Sequence, residues 1–286
     1  LVGTILLLAL GLSSLATARS AVEELIRKSG ADVAVFLRTL DGADELEIGA
    51  ETDFHAASTM KVPVMIELFR RAEEGELDLD ETIRVENDFR SIVDGSPYAL
   101  EVEDDSDADI YEAIGEQRSL RELCEAMITV SSNLATNILI DRLGAENIQR
   151  TVDALGGSGM KVLRGVEDIK AFERGLSNTT TAKGLGTLLE RIAQGDAVSE
   201  KASREMVSIL KRQAFNDAIP AGLPDGVEVA HKTGNITRIH HDGAIVYGPR
   251  PYVLVVLVRG IEDERESAKL IASISRTLYD AIEGVP

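Results

Sequence analysis

The chain has 286 residues, enough for one large domain or two lobes around a full core. Hydrophobic residues are 44% and charged residues 28%, which argues against a disordered chain. A net charge of −19 argues against nucleic acid or an anionic lipid surface as a partner.

Residues 1–18, LVGTILLLALGLSSLATA, carry no charge and end in the small-residue pattern Ala16-Thr17-Ala18. They read as a secretory signal peptide, which predicts a secreted or periplasmic protein. An uncleaved anchor is the alternative reading. Residues 19–286 then form the functional domain. A short helix over 21–29, a β-rich run Val33–Leu40 and a returning strand Glu45–Ile48 follow. A helical stretch runs from Ser58 to about Glu74, with Pro63 near its start, where proline is tolerated.

Residues 91–118 are polar, and Glu101–Asp109 holds six acidic residues in nine, which predicts a solvated loop. Helical patterns occupy Leu120–Thr129, Asn133–Leu143, Ala145–Leu155 and Thr181–Ala193. Cys124, the only cysteine, falls in the apolar series Leu120, Leu123, Cys124, Met127 and is expected to pack in the core. The last third returns to strands at Val227–Lys232, Ala244–Tyr247 and Tyr252–Val258, then to a helix over Asp263–Ile282. The pattern predicts one sheet built from both ends of the chain, about 21–80 and 205–286, with a helical lobe of about 81–204 inserted.

Three short motifs carry chemistry. Ser58 and Lys61 stand three apart at a predicted helix start, so they share a face, and free N–H groups there favour an oxyanion. Ser131-Ser132-Asn133 lies between two helices, where Ser and Asn also serve as caps. Lys232-Thr233-Gly234 ends a β-run and offers a charge, a hydroxyl and a close backbone approach for a carboxylate. Each motif alone is commonplace. In this order and on these elements, they match S-x-x-K, S-D-N and K-T-G.

From about residue 21 onward the sequence resembles the class A β-lactamases, within the wider group of penicillin-recognising serine hydrolases. The phrases Met127–Ser131, Asn133–Asn137 and Thr179–Thr181 add to the likeness. The resemblance implies an α+β fold: a five-stranded antiparallel sheet flanked by helices, beside an all-helical lobe. It implies a hydrolase that opens a β-lactam ring through an acyl-enzyme on Ser58, with Lys61 assisting proton removal. Ser131 would relay the proton to the leaving nitrogen with help from Lys232. Asn133 would orient Lys61 and the substrate amide, and Thr233 and Lys232 would hold the substrate carboxylate. The oxyanion hole would be the backbone N–H groups of Ser58 and Asn235.

The expected partner is a small-molecule β-lactam, without cofactor, metal, nucleic acid or stable membrane partner, and the chain is expected to be a monomer. A D-Ala-D-Ala peptidase or esterase, and a penicillin-binding module that acylates and then stalls, are the alternatives.

The sequence departs from the class A pattern in three places. Ser132 stands where the family has an aspartate that braces the loop. Glu167 is the candidate base for hydrolysing the acyl-enzyme, with Asp168 as fallback, but Lys170 and Ala171 replace the Leu and Asn of E-x-x-L-N. The stretch from Ser58 to Ser131 is also long for the family. His231 should point away from the cleft, whereas His241 and Arg238 are candidates to touch the substrate's acid group.

Overall fold

The computed structural model describes residues 2–284, with side chains from residue 15 onward. The apolar part of the signal-peptide reading, residues 1–14, lies outside the described side chains. From residue 2 the backbone belongs to one long helix, α1 (Val2–Ser29), rather than to a separate helix beginning at 21.

Five strands form the main sheet: β1 (Asp32–Thr39), β2 (Glu45–Ile48), β3 (Glu228–Ile236), β4 (Ile239–Tyr247) and β5 (Tyr252–Arg259). Their order is β2-β1-β5-β4-β3, and every neighbouring pair is antiparallel. The two ends of the chain thus meet in one sheet, as expected. β5 is the central strand, so its run YVLVVLVR is buried on both faces, which suits its β-branched residues.

Alternation along the strands feeds two cores. Val35, Leu37, Leu254 and Val256 face Val22 of α1 and Ile271, Ile274, Leu278 and Ile282 of the last helix. Ala34, Phe36, Val255 and Leu257 face the helical side of the molecule.

The helical side comprises α2 (Lys61–Glu73), α3 (Leu120–Thr129), α4 (Asn133–Leu143), α5 (Ala145–Leu155), α6 (Ala182–Gln194) and α7 (Glu200–Leu210). The last helix is α8 (Glu264–Glu283). α2 runs through the middle, with every residue from Lys61 to Phe69 buried. Its Val62, Val64, Met65, Ile66 and Leu68 each contribute about 1.5–3 kcal/mol by burial.

The lobe boundaries drawn on the sequence therefore need correction. α2 packs on α4, α5 and α7, although it lies in the 21–80 segment, whereas α6 packs on β1, β4 and β5, although it lies in 81–204. Periodicity shows that a helix has an apolar face, not which neighbour covers it.

Three further expectations change. Ser58 lies in a 3-10 turn, Ala57–Met60, and the α-helix proper begins at Lys61. The K-T-G motif does not end its strand; β3 runs on to Ile236 and turns into β4 through two residues. Its polar residues look like a turn in the sequence but sit on an edge strand facing a cleft. The polar segment 91–118 is also more ordered than a solvated loop: Pro97–Tyr98 pairs with Phe89–Arg90, and Gln117–Ser119 with Thr82–Arg84.

One close approach gives a direct test of this packing. A Cβ on Gly222 would meet the Ala272 carbonyl oxygen of α8 at 2.1 Å and Ser275 Cβ at 2.9 Å. Gly222→Ala is expected to cost about 2–3 kcal/mol, because the clash is with helix backbone. Thermal melting should show a midpoint lower by roughly 5 °C; an unchanged midpoint would contradict this docking of α8.

Candidate active site

The three motifs converge. Ser58 follows Ala57, which is held at φ 45° while its N–H donates to His55 Nδ1 at 3.1 Å. Ser131 and Glu167 also have positive φ, both 62°. These are three of the four non-glycine residues in that region among the described residues. Such strain costs on the order of 1–3 kcal/mol each and gathers where geometry is constrained by a site.

Lys61 Nζ points across to the second motif. It donates to Ser131 O at 2.6 Å, Asn133 Oδ1 at 2.8 Å, Ser131 Oγ at 3.2 Å and, more weakly, Ser132 O at 3.4 Å. Lys232 Nζ reaches the same hydroxyl, donating to Ser131 Oγ at 3.0 Å and to Thr233 O at 2.9 Å. Both lysines are fully buried. Burial draws the Lys61 ammonium down to about 7, against the opposing charges of Asp105 and Glu167. Burial, then the positive charge of Lys61, holds Lys232 well below the ordinary lysine value, while Asp242 opposes the shift.

Asn133 ties this pair to the third acid–base group, because its Nδ2 donates to Glu167 Oε1 at 2.7 Å. The Glu167 carboxyl is pushed up to about 7, chiefly by burial, with the charges of Asp105 and Asp104 adding; Asn133 and Lys61 pull the other way. Its loop is gripped from α4, where Asn137 Oδ1 accepts from Val166 N at 2.7 Å and Asn137 Nδ2 donates to Val166 O at 3.0 Å.

Gly234 brings β3 against the nucleophile: a Cβ there would lie 3.1 Å from both Ser58 N and Thr59 N. Thr233 is buried beside it, and Asn235 is exposed with its side-chain amide on the Glu264 carboxylate. The structure therefore brings together Ser58, Lys61, Ser131, Asn133, Glu167, Lys232, Thr233, Gly234 and Asn235.

Several secondary assignments are corrected. Asp168 is not a spare base; its carboxylate accepts from Ser91 Oγ at 2.8 Å, Ile92 N at 2.9 Å and Ala171 N at 3.1 Å, pinning the loop. Arg164, on the same loop, donates to the carbonyls of Leu176 and Gly165. His241 is buried, bonded to His55 O at 2.9 Å and drawn down to about 4 by burial, so it is neutral and cannot hold a carboxylate by charge. Arg238 donates to Gly260 O at 3.0 Å.

His231 does face away from Lys232, as alternation predicts, and its Nδ1 meets buried Asp242 at 3.0 Å. Cys124 is buried, with its thiol pushed up to about 12 by burial, consistent with a core role. Sequence reasoning missed Asp105, which accepts from Asn133 N, and Asn137, which holds the backbone of Val166 beside Glu167.

The sequence pattern of the beta-lactamase enzyme family matches residues 17–282. The chain belongs to the beta-lactamase enzyme family. It is 31% identical over 171 residues to a beta-lactamase of Bacillus licheniformis, an overlap of 57% of this chain and 56% of that protein. It thus spans little more than half the length of that relative. Against beta-lactamase ROB-1 of Haemophilus influenzae the identity is 24% over 275 residues, covering 94% of this chain and 85% of the relative.

Among solved structures, an acyl-enzyme complex of a PBP-A point mutant with penicillin G superposes with a TM-score of 0.81 at 29% identity, covering 95% of this chain and 98% of that one. An ancestral class A beta-lactamase gives a TM-score of 0.80 at 24% identity, covering 92% and 99%. Family membership and the beta-lactamase-like fold agree with the sequence expectation.

Proposed function

We propose that this protein hydrolyses β-lactams through an acyl-enzyme on Ser58. The observation that carries the reading is the shared hydroxyl. Ser131 Oγ lies within 3.2 Å of Lys61 Nζ and 3.0 Å of Lys232 Nζ, next to a nucleophile faced by the K-T-G strand.

In the first half-reaction neutral Lys61 accepts the Ser58 proton. The Oγ–C bond forms, and the developing oxyanion is met by the N–H groups of Ser58 and Asn235. The lactam C–N bond then breaks as Ser131 protonates the nitrogen, and the lysines it touches re-supply its proton. In the second half-reaction Glu167 takes a proton from water, the hydroxyl oxygen bonds the acyl carbon, and Ser58 leaves as that proton passes from Glu167 through neutral Lys61 to its oxygen, which restores both groups. The balance is lactam plus water giving the ring-opened amino acid. Lys232 and Thr233 supply the local charge and hydroxyl for the substrate carboxylate, despite the acidic surface.

Intact-protein mass spectrometry after mixing with penicillin tests this reading. The expected result is a transient adduct of one whole penicillin, absent in Ser58→Ala, that decays while hydrolysed drug accumulates. An adduct that persists would instead favour a penicillin-binding module, for which the loss of Asn at Ala171 is the specific observation. No adduct at all would refute the proposal.

A further inference from the structure

We propose that Asp105 is a positioning residue of this site: it supplies, from the acidic segment, the clamp on the Ser131–Asn133 turn that Ser132 provides only in part. The inference rests on the proposed acyl transfer only for the chemistry the turn serves. The clamp itself is visible in the geometry.

α4 starts at Asn133, and its first N–H groups need acceptors. The Ser132 hydroxyl reaches one of them, Ala135 N, at 3.3 Å. The Asp105 carboxylate takes the two before it. Asn133 N lies 2.9 Å from Oδ1 and 3.0 Å from Oδ2, and Leu134 N lies 2.9 Å from Oδ2. A carboxylate at a helix N-terminus is favoured both by the dipole and by charge-assisted bonding. Asp105 is itself oriented, because Tyr111 OH donates to Oδ2 at 3.0 Å and Asp107 N donates to Oδ1 at 3.1 Å. The backbone it grips belongs to Asn133, whose side chain bridges Lys61 and Glu167.

The Asp105 carboxylate also acts on the site through its charge. That charge favours the Lys61 ammonium and disfavours the Glu167 carboxylate. Glu167 is faced by Lys61 and Asn133, which favour its ionised form, and by Asp104 and Asp105, which oppose it. The phenols of Tyr98 and Tyr111 are also close enough to feel its charge.

Two measurements test the proposal. First, the Glu167 carboxyl is titrated by carbon NMR in the free protein, which needs no substrate. Asp105→Asn keeps an acceptor but removes the charge, so the Glu167 midpoint should move down by roughly 0.5–1 pH unit. A midpoint that stays put overturns the charge role.

Second, acylation by penicillin is timed in Asp105→Ala and in Asp105→Ala/Ser132→Asp. The single variant should acylate roughly 10- to 100-fold more slowly. The double variant, with a carboxylate returned to the cap, should recover most of that loss. A single variant as fast as the parent, or a double variant with no recovery, overturns the clamp. A parent protein that forms no adduct refutes the proposed function, while the NMR titration still decides the role of Asp105.

Discussion

Lys61→Met should keep a folded protein that acylates roughly 10²- to 10⁴-fold more slowly than the parent, as read by the rate of penicillin adduct formation. The size follows from the protonation state that burial sets. A lysine near its ordinary value of 10.4 would be neutral in roughly one molecule in 2500 at pH 7. At about 7, close to half of the Lys61 amines are neutral and able to take the Ser58 proton. As the neutral amine, Lys61 keeps two N–H bonds on its short contacts, Ser131 O and Asn133 Oδ1, and its lone pair is left for a hydroxyl proton.

Methionine preserves the volume in a fully buried position but has neither donor nor base. The lost bonds to Ser131 and Asn133 are offset in part by no longer burying an amine, so the melting midpoint should move by only a few degrees. Acylation within twofold of the parent would remove Lys61 from the mechanism.

How far the site could be read from sequence depends on how local each signal is. Ser58/Lys61, Ser131/Asn133 and Lys232–Gly234 were legible because each pair or triplet is fixed by one helix turn, one helix start or one strand. Chain order then supplied the convergence. The central strand β5 and the last helix were legible for the same reason, since each carries its own periodicity.

Asp105 was hidden because its partners are the amides of Asn133 and Leu134, across a segment whose composition reads as solvated. Asn137 was hidden inside an ordinary helical pattern, although its amide holds the backbone of Val166 on another loop. Asp168, offered as a spare base, has the right residue type and the wrong partners. Its hydrogen bonds with Ser91 and Ile92 are decided by a loop from a distant part of the chain. The continuation of β3 through Lys232-Thr233-Gly234 was masked by a glycine that serves close approach to Ser58, not a turn.

Glu167→Gln is expected to separate the two half-reactions. The variant should still acylate Ser58 within a few-fold of the parent, because Lys61 and Ser131 remain in place. Its adduct should then survive at least ~10³-fold longer, since no group at that position can take the proton from water. The amide still accepts a hydrogen bond from Asn133 through its oxygen, so the loop should hold.

The pH dependence gives the sign. Burial and the acidic neighbours raise the Glu167 carboxyl to about 7, so the base is ionised above that value and protonated below it. Deacylation in the parent should therefore climb as pH rises from 5.5 to 8, with its midpoint near 7, whereas in Glu167→Gln it should be slow and flat across the same range. Stopped-flow or mass-spectrometric decay of the adduct reads both. If the two proteins lose the adduct at the same rate, water is activated elsewhere. Asp168 would remain a poor substitute, because its oxygens are already committed to Ser91, Ile92 and Ala171.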